Sequence, residues 1–291
     1  MTDFFQAVAN PDIQFLRLAL IAGVLSGFAF GIVGSYVVAR RISYIAGAIS
    51  HSVLGGIGIA MYLQYKIGAT WLDPMIGATF AALASAGIIG VVVLRGKQRE
   101  DTVIGVIWAI GMAIGLLFFA KTPGYVDPMS YLFGNILLIT KADIWAIIIL
   151  DIVVALVGIL FYHKFLAVCF DDEFTRLRGI NVDYYFLLLL ALTALSVVML
   201  IRIVGIVMVI ALMTIPPAVA GYFVRHLWQM MIGAVIFCVL FIVLGLGVSY
   251  SLDLPTGPVI IIIAGFFYVL VIAGRSIFLK FRKTEVPHTF H

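Results

Sequence analysis

Charge is scarce in this sequence. Asp, Glu, Lys and Arg fill only 11% of its 291 positions, where a soluble globular chain is nearer a quarter charged. Apolar residues fill 64% and the mean hydropathy is +1.21, an excess that needs lipid to cover it. A water-soluble globular protein and a disordered chain are both excluded. Cysteine is nearly as scarce. Cys169 and Cys238 lie far apart and form no CxxC pair, which argues against a disulfide framework and a structural zinc site. No GxxxxGK[ST] run occurs, the nearest fragment being Arg95-Gly96-Lys97-Gln98, so the chain is not expected to cradle nucleotide phosphates by itself. HExxH and GxSxG are missing too, which leaves an intramembrane hydrolase without a motif. No internal repeat argues for the inverted halves of many secondary transporters. The N-terminus has no basic region or cleavage signal, so the first apolar run is expected to stay in the membrane.

What the sequence does have is a succession of long apolar runs. Nine helices are expected, at 15–38, 44–64, 74–94, 102–120, 142–162, 183–201, 203–220, 228–250 and 256–275. Most have the ~20 residues that a bilayer crossing requires. Runs six and seven are broken only around Arg202 to Gly205, and the number falls to eight if they form one bent span. The fold expected is an all-α polytopic bundle, with residues 1–291 as a single transmembrane domain. The basic residues give the orientation. Arg40, Arg41, Arg95, Lys97, Arg99, Lys164, Arg176, Arg178, Arg225, Arg275, Lys280, Arg282 and Lys283 fall on one side, and Arg17, Lys66, Lys121, Lys141 and Arg202 on the other. By the positive-inside rule the first group is cytosolic. The N-terminus is then outside and the C-terminus cytosolic, with cytosolic segments at 164–181, 217–228 and 282–291. The net charge of +4 is thereby explained without nucleic acid. Cys169 is expected to be open to thiol reagents from the cytosol, and Cys238 to be shielded within its helix.

Small residues recur at four-residue spacing, as Gly23, Gly27 and Gly31, as Gly77, Ala81 and Ser85, and as Gly111 and Gly115. Such stripes let helices approach closely. The stretch from Asp127 to Leu137 is too short to span and reads as an interfacial or re-entrant segment on the outer side.

Ionisable groups inside spans are functional candidates. His51 sits about seven residues into the second helix, among Ser50, Ser52, Gly55 and Gly56, and imidazole is a good ligand for zinc. The alternative is a histidine hydrogen-bonded to a neighbouring helix. Asp151, near the middle of the fifth helix, is a second candidate, either for metal or for a structural pair. His163 and His226 fall at helix ends, where solvated histidines are ordinary. His288 and His291 lie in the polar tail. After the seventh run, Pro216 and Pro217 interrupt regular helix, so Pro217 to Trp228 is expected to form a short helix at the inner face.

Six motifs, in order, carry a resemblance. They are Ser35-Tyr36-Val37-Val38-Ala39-Arg40-Arg41-Ile42 with Ala48-Ile49-Ser50-His51-Ser52-Val53-Leu54; Glu100-Asp101-Thr102-Val103-Ile104-Gly105; Ser130-Tyr131-Leu132-Phe133-Gly134-Asn135-Ile136-Leu137; Asp172-Glu173-Phe174-Thr175-Arg176-Leu177-Arg178-Gly179-Ile180; Thr214-Ile215-Pro216-Pro217-Ala218; and Pro255-Thr256-Gly257-Pro258. Together they resemble the permeases of ABC importers for zinc, manganese or iron(II). The resemblance implies a homodimer of this chain with the pathway along its axis, two separate ATP-binding subunits on the cytosolic face, and an extracytoplasmic metal-binding protein that delivers the ion. It implies a bacterial cytoplasmic-membrane protein that is not itself an enzyme. No tightly bound cofactor is expected, because the divalent ion is cargo. Pro217, Val224, Arg225 and His226 fall in the segment that would couple to the ATPase, and His51 matches the family's metal-pathway histidine.

The sequence departs from the family pattern at four places. Gly47 stands where the family has Asp, four residues before the histidine. Leu54-Gly55-Gly56 replaces Leu-Pro-Gly, Asn135 replaces the Asp that ends the external motif, and Gly221 replaces an Arg. Without the carboxylate, two histidines facing each other across a dimer would form a weak, transient site, which conduction tolerates. Zinc is favoured over manganese on that ground. Two rival readings are a siderophore- or cobalamin-type ABC permease and a proton-coupled secondary transporter that uses Asp151 and His51 as a relay.

Overall fold

The computed structural model describes residues 2–10, 14–68, 71–96, 100–123, 128–134 and 139–284. Every regular element among them is a helix, in the order α1 (Thr2–Ala9), α2 (Gln14–Ala39), α3 (Ser43–Ile67), α4 (Pro74–Arg95), α5 (Glu100–Lys121), α6 (Pro128–Phe133), α7 (Lys141–Leu160), α8 (Tyr162–Phe170), α9 (Asp172–Leu177), α10 (Val182–Val204), α11 (Ile206–Gly221), α12 (Leu227–Leu252) and α13 (Thr256–Thr284). Eight are long and apolar enough to cross a membrane. The remaining run, the seventh, is α11, whose 16 residues span roughly 24 Å at ~1.5 Å per residue, short of a ~30 Å hydrocarbon core. Runs six and seven are two helices. Gly205 ends one and starts the next at φ 79° and ψ 163°.

Packing follows apolarity. α3 is the least apolar of the eight and also the most buried. A helix enclosed by protein need not be apolar all round, whereas one facing lipid must. α3 lies against α4, α5 and α10, and α2 lies among α7, α11 and α12. The small-residue stripes make these contacts. A Cβ on Gly56 would sit 2.1 Å from the Gly77 carbonyl oxygen, and one on Gly111 would sit 2.5 Å from Ser52 Cα. α3 thus meets both neighbours backbone to backbone, as the spacing predicts.

Two acids act at helix starts. Asp73 Oδ1 accepts the Met75 N–H at 2.7 Å to cap α4. Thr140 and Asp143 form a capping box on α7. Carboxylates at N-termini also complement the helix dipole.

Pro216 and Pro217 both lie inside α11, which continues to Gly221, close to the expected run at 203–220. Each removes the N–H that would bond the carbonyl four residues earlier, and in a membrane that loss must be compensated by neighbours. Cys238 Sγ on α12 points to the Leu212 carbonyl at 3.5 Å. The Met213 carbonyl lies against Gly34 of α2, where an added Cβ would come within 2.4 Å. Pro217 is therefore buried and unavailable to a partner. The segment 217–228 is not a separate short helix. It comprises the end of α11, a turn at 222–226 and the start of α12. On that turn Phe223, Arg225 and His226 are exposed and Val224 is half-buried.

The region 164–181 contains α8 and α9. Arg40 forms an ion pair with Asp172 and lies over the Phe186 ring, which ties the α2–α3 corner to α9. Arg275 lies over Tyr222. Each contact joins two segments that the basic residues place on the same side, the α2–α3 corner with α9 and the turn after α11 with α13. Asn135, Asp127, His288 and His291 lie outside the described residues.

Candidate functional site

α3 carries His51 into the bundle, where it is 8% exposed. Its flanking serines satisfy themselves within the helix: Ser50 Oγ donates to the Ala46 carbonyl and Ser52 Oγ to the Ile49 carbonyl. His51 Nδ1 is different, being buried with no hydrogen-bond partner. Buried polar atoms without partners are rare and call for an explanation. The alternative of a histidine tied by that nitrogen to a neighbouring helix is not met.

One face of the imidazole is covered. Trp108 of α5 stacks on it with ring centroids 4.3 Å apart and planes 19° apart. The same indole lies over Gly47, one turn earlier, where an added Cβ would come 2.9 Å from Trp108 Cζ3. The indole also lines a cavity of about 440 Å³ with Tyr44, Asp101, Ile104 and Gly105. Trp108 thus touches His51 and also lines this opening.

Sequence reasoning missed Trp108. The signal was present in the helical register, because Trp108 precedes Gly111 by three residues and Gly115 by seven. It therefore shares the stripe that packs on α3.

Asp151 is not brought to His51. Both of its carboxylate oxygens are buried with no hydrogen-bond partner, but α7 packs mainly on α2 and α10, while His51 faces α5. His163 and His226 are exposed near helix ends. Among the described residues no three His, Cys, Asp or Glu side chains form a group able to hold a metal. A second cavity of about 610 Å³, between α3, α4 and α5, offers only Ser52 and Ser85 as polar side chains in an apolar lining.

The chain is similar to proteins from several bacteria. A probable metal transport system membrane protein of Chlamydia trachomatis is 38% identical over 87% of this chain and 86% of its own length. A manganese transport system membrane protein of Listeria monocytogenes is 33% identical, with 94% of this chain and 96% of that protein covered. In the solved structure of PsaBC from Streptococcus pneumoniae in complex with Fab, one chain superposes with a TM-score of 0.80 at 28% identity, covering 93% of this chain and 94% of that one. The fold and these relatives describe a multi-pass protein of the bacterial cytoplasmic membrane. The ABC 3 transport family matches residues 12–275, and the chain belongs to that family.

Proposed function

We propose that this chain is the membrane-spanning permease of an ABC importer for a divalent transition-metal ion. In this reading it works as two copies with separate ATP-binding subunits at the Arg40 end, which is cytosolic, and an extracytoplasmic binding protein at the opposite end. Family membership supports the permease role, and the relatives named for metal and manganese transport support the cargo. The observation that carries the reading is His51. It is a histidine deep in the most enclosed span, whose buried Nδ1 has no hydrogen-bond partner and so is not committed to the protein's own structure.

Zinc is the favoured ion. Manganese prefers oxygen ligands, whereas zinc accepts nitrogen ligands at lower coordination number. Gly47 supplies no oxygen beside His51. Manganese is the second reading, favoured by the Listeria relative. Uptake of radioactive zinc and manganese is to be measured in cells carrying the native chain or His51→Ala, with complex assembly checked in both. The expected result is zinc uptake by the native chain and loss of at least most of it in the variant. Full zinc uptake by His51→Ala would remove His51 from the pathway, and native uptake of manganese alone would reverse the choice of ion.

A further inference from the structure

The geometry points to Trp108 as the residue that sets ion preference and access at His51, by filling the space that a second, carboxylate ligand would need. This inference rests on the proposed metal pathway and adds a residue to it.

Positions 47 and 51 share one face of α3, ~6 Å apart along the axis. A side chain at 47 and the imidazole at 51 would both reach a cation lying against that face. In this chain a single indole covers both positions. It stacks on the His51 ring at 4.3 Å and passes so close to Gly47 that a Cβ there would be 2.9 Å from Cζ3. Contacts under about 3 Å force a shift. The atom in the way belongs to a rigid ring stacked on His51, so a side chain at 47 is admitted only if the whole indole moves off the imidazole. Gly47 and Trp108 are thus a matched pair: the glycine makes room for the indole, and the indole leaves no room for an acid.

Two consequences follow. The site offers a passing ion imidazole nitrogen without a neighbouring carboxylate, which disfavours an oxygen-seeking ion more than a nitrogen-tolerant one. Trp108 also lines the cavity of about 440 Å³ with Asp101 and Tyr44 while it stacks on His51. An ion leaving His51 toward that cavity meets the indole, so displacement of the ring opens the step.

Four variants test this: Trp108→Phe, Trp108→Ala, Gly47→Asp, and Gly47→Asp combined with Trp108→Ala. The first readout is the ratio of manganese to zinc uptake, with assembly confirmed for each. Gly47→Asp alone is expected to lose at least ten-fold in uptake of both ions. The double variant is expected to recover transport with a ratio shifted at least ten-fold toward manganese. Trp108→Phe keeps an aromatic cover and is expected to keep the native ratio. A general packing role would not produce rescue by a second substitution together with a changed ratio. The second readout does not depend on transport. Modification of His51 by diethyl pyrocarbonate, followed by peptide mass spectrometry, is expected to be at least five-fold faster in Trp108→Ala than in the native chain, and close to native in Trp108→Phe. An assembled double variant that stays inactive, or transports with the native ratio, would overturn the specificity claim. Equal modification rates in Trp108→Ala and the native chain would overturn the cover. Neither outcome is the one that sinks the metal pathway itself, which is full uptake by His51→Ala.

Discussion

Gly205 shows how much one missing side chain can decide. Its φ of 79° with ψ of 163° lies in a region essentially reserved for glycine. A Cβ there would also meet the Gly134 amide nitrogen at 2.2 Å and the Phe133 carbonyl carbon at 2.3 Å. The end of α6 is therefore seated directly on the break between α10 and α11. Gly205→Ala is expected to cost on the order of 1–3 kcal/mol from backbone strain alone, with the clash added, and to lower the unfolding temperature of the purified protein clearly. Gly265→Ala on α13, which meets nothing within 4 Å, is the control and should be neutral or slightly stabilising, since alanine suits a helix better. Equal unfolding temperatures for the two variants would contradict the seated junction. The break at Gly205 was legible in the sequence because charge and glycine interrupt an apolar run there. Its contact with Gly134 was not, because nothing in local pattern ties residues so far apart. The register of Trp108 with Gly111 and Gly115 places it on the face toward α3, but which residue of α3 it covers was not legible, for the same reason. His51 could be found from hydropathy alone, whereas the ring that covers it comes from another helix.

At the scale of elements, sequence reasoning erred most over the segment after the prolines. Expecting a separate short helix from Pro217 to Trp228 assumes that the hydrogen bonds lost at Pro216 and Pro217 go unreplaced. In the bundle the Leu212 carbonyl faces the Cys238 thiol and the Met213 carbonyl faces Gly34, so α11 runs through. The expected contact with an ATPase consequently moves off Pro217 and onto the turn before α12. Phe223 is 65% and Trp228 51% exposed, and Arg225 and His226 are exposed between them. Large aromatics beside a guanidinium are what protein interfaces favour. Cysteines at Phe223 and Trp228 are expected to crosslink to the ATP-binding subunit in the assembled importer, and one at Pro217 is expected not to. Crosslinks confined to this chain, or a Pro217 product as abundant as the Phe223 one, would place the docking surface elsewhere.

The whole molecule has two ends, and the structure bears on which segments share one. The Arg40–Asp172 ion pair and Arg275 over Tyr222 each join segments from different helices, in agreement with the grouping of basic residues. That much was legible because membrane insertion writes orientation into charge. The thiol expected to report the orientation will not do so. Cys169 is buried, with Sγ pointing to the Tyr36 carbonyl at 3.8 Å. Burial pushes the thiol up to about 12, with Arg40 opposing the shift and Asp172 adding to it. The reactive form of a cysteine is the thiolate, and a pKa raised so far leaves almost none of it at neutral pH. Raising the pH by two units would still leave the thiol mostly protonated, so native Cys169 should resist maleimides from both sides of the membrane. Leu177, at the end of α9, is 87% exposed at the same end of the bundle. An impermeant maleimide should label Leu177→Cys in inside-out vesicles and miss it in intact spheroplasts, with the native chain unlabelled in both. Labelling in spheroplasts would invert the topology and move the docking turn to the outer face, where no ATP-binding subunit can reach it.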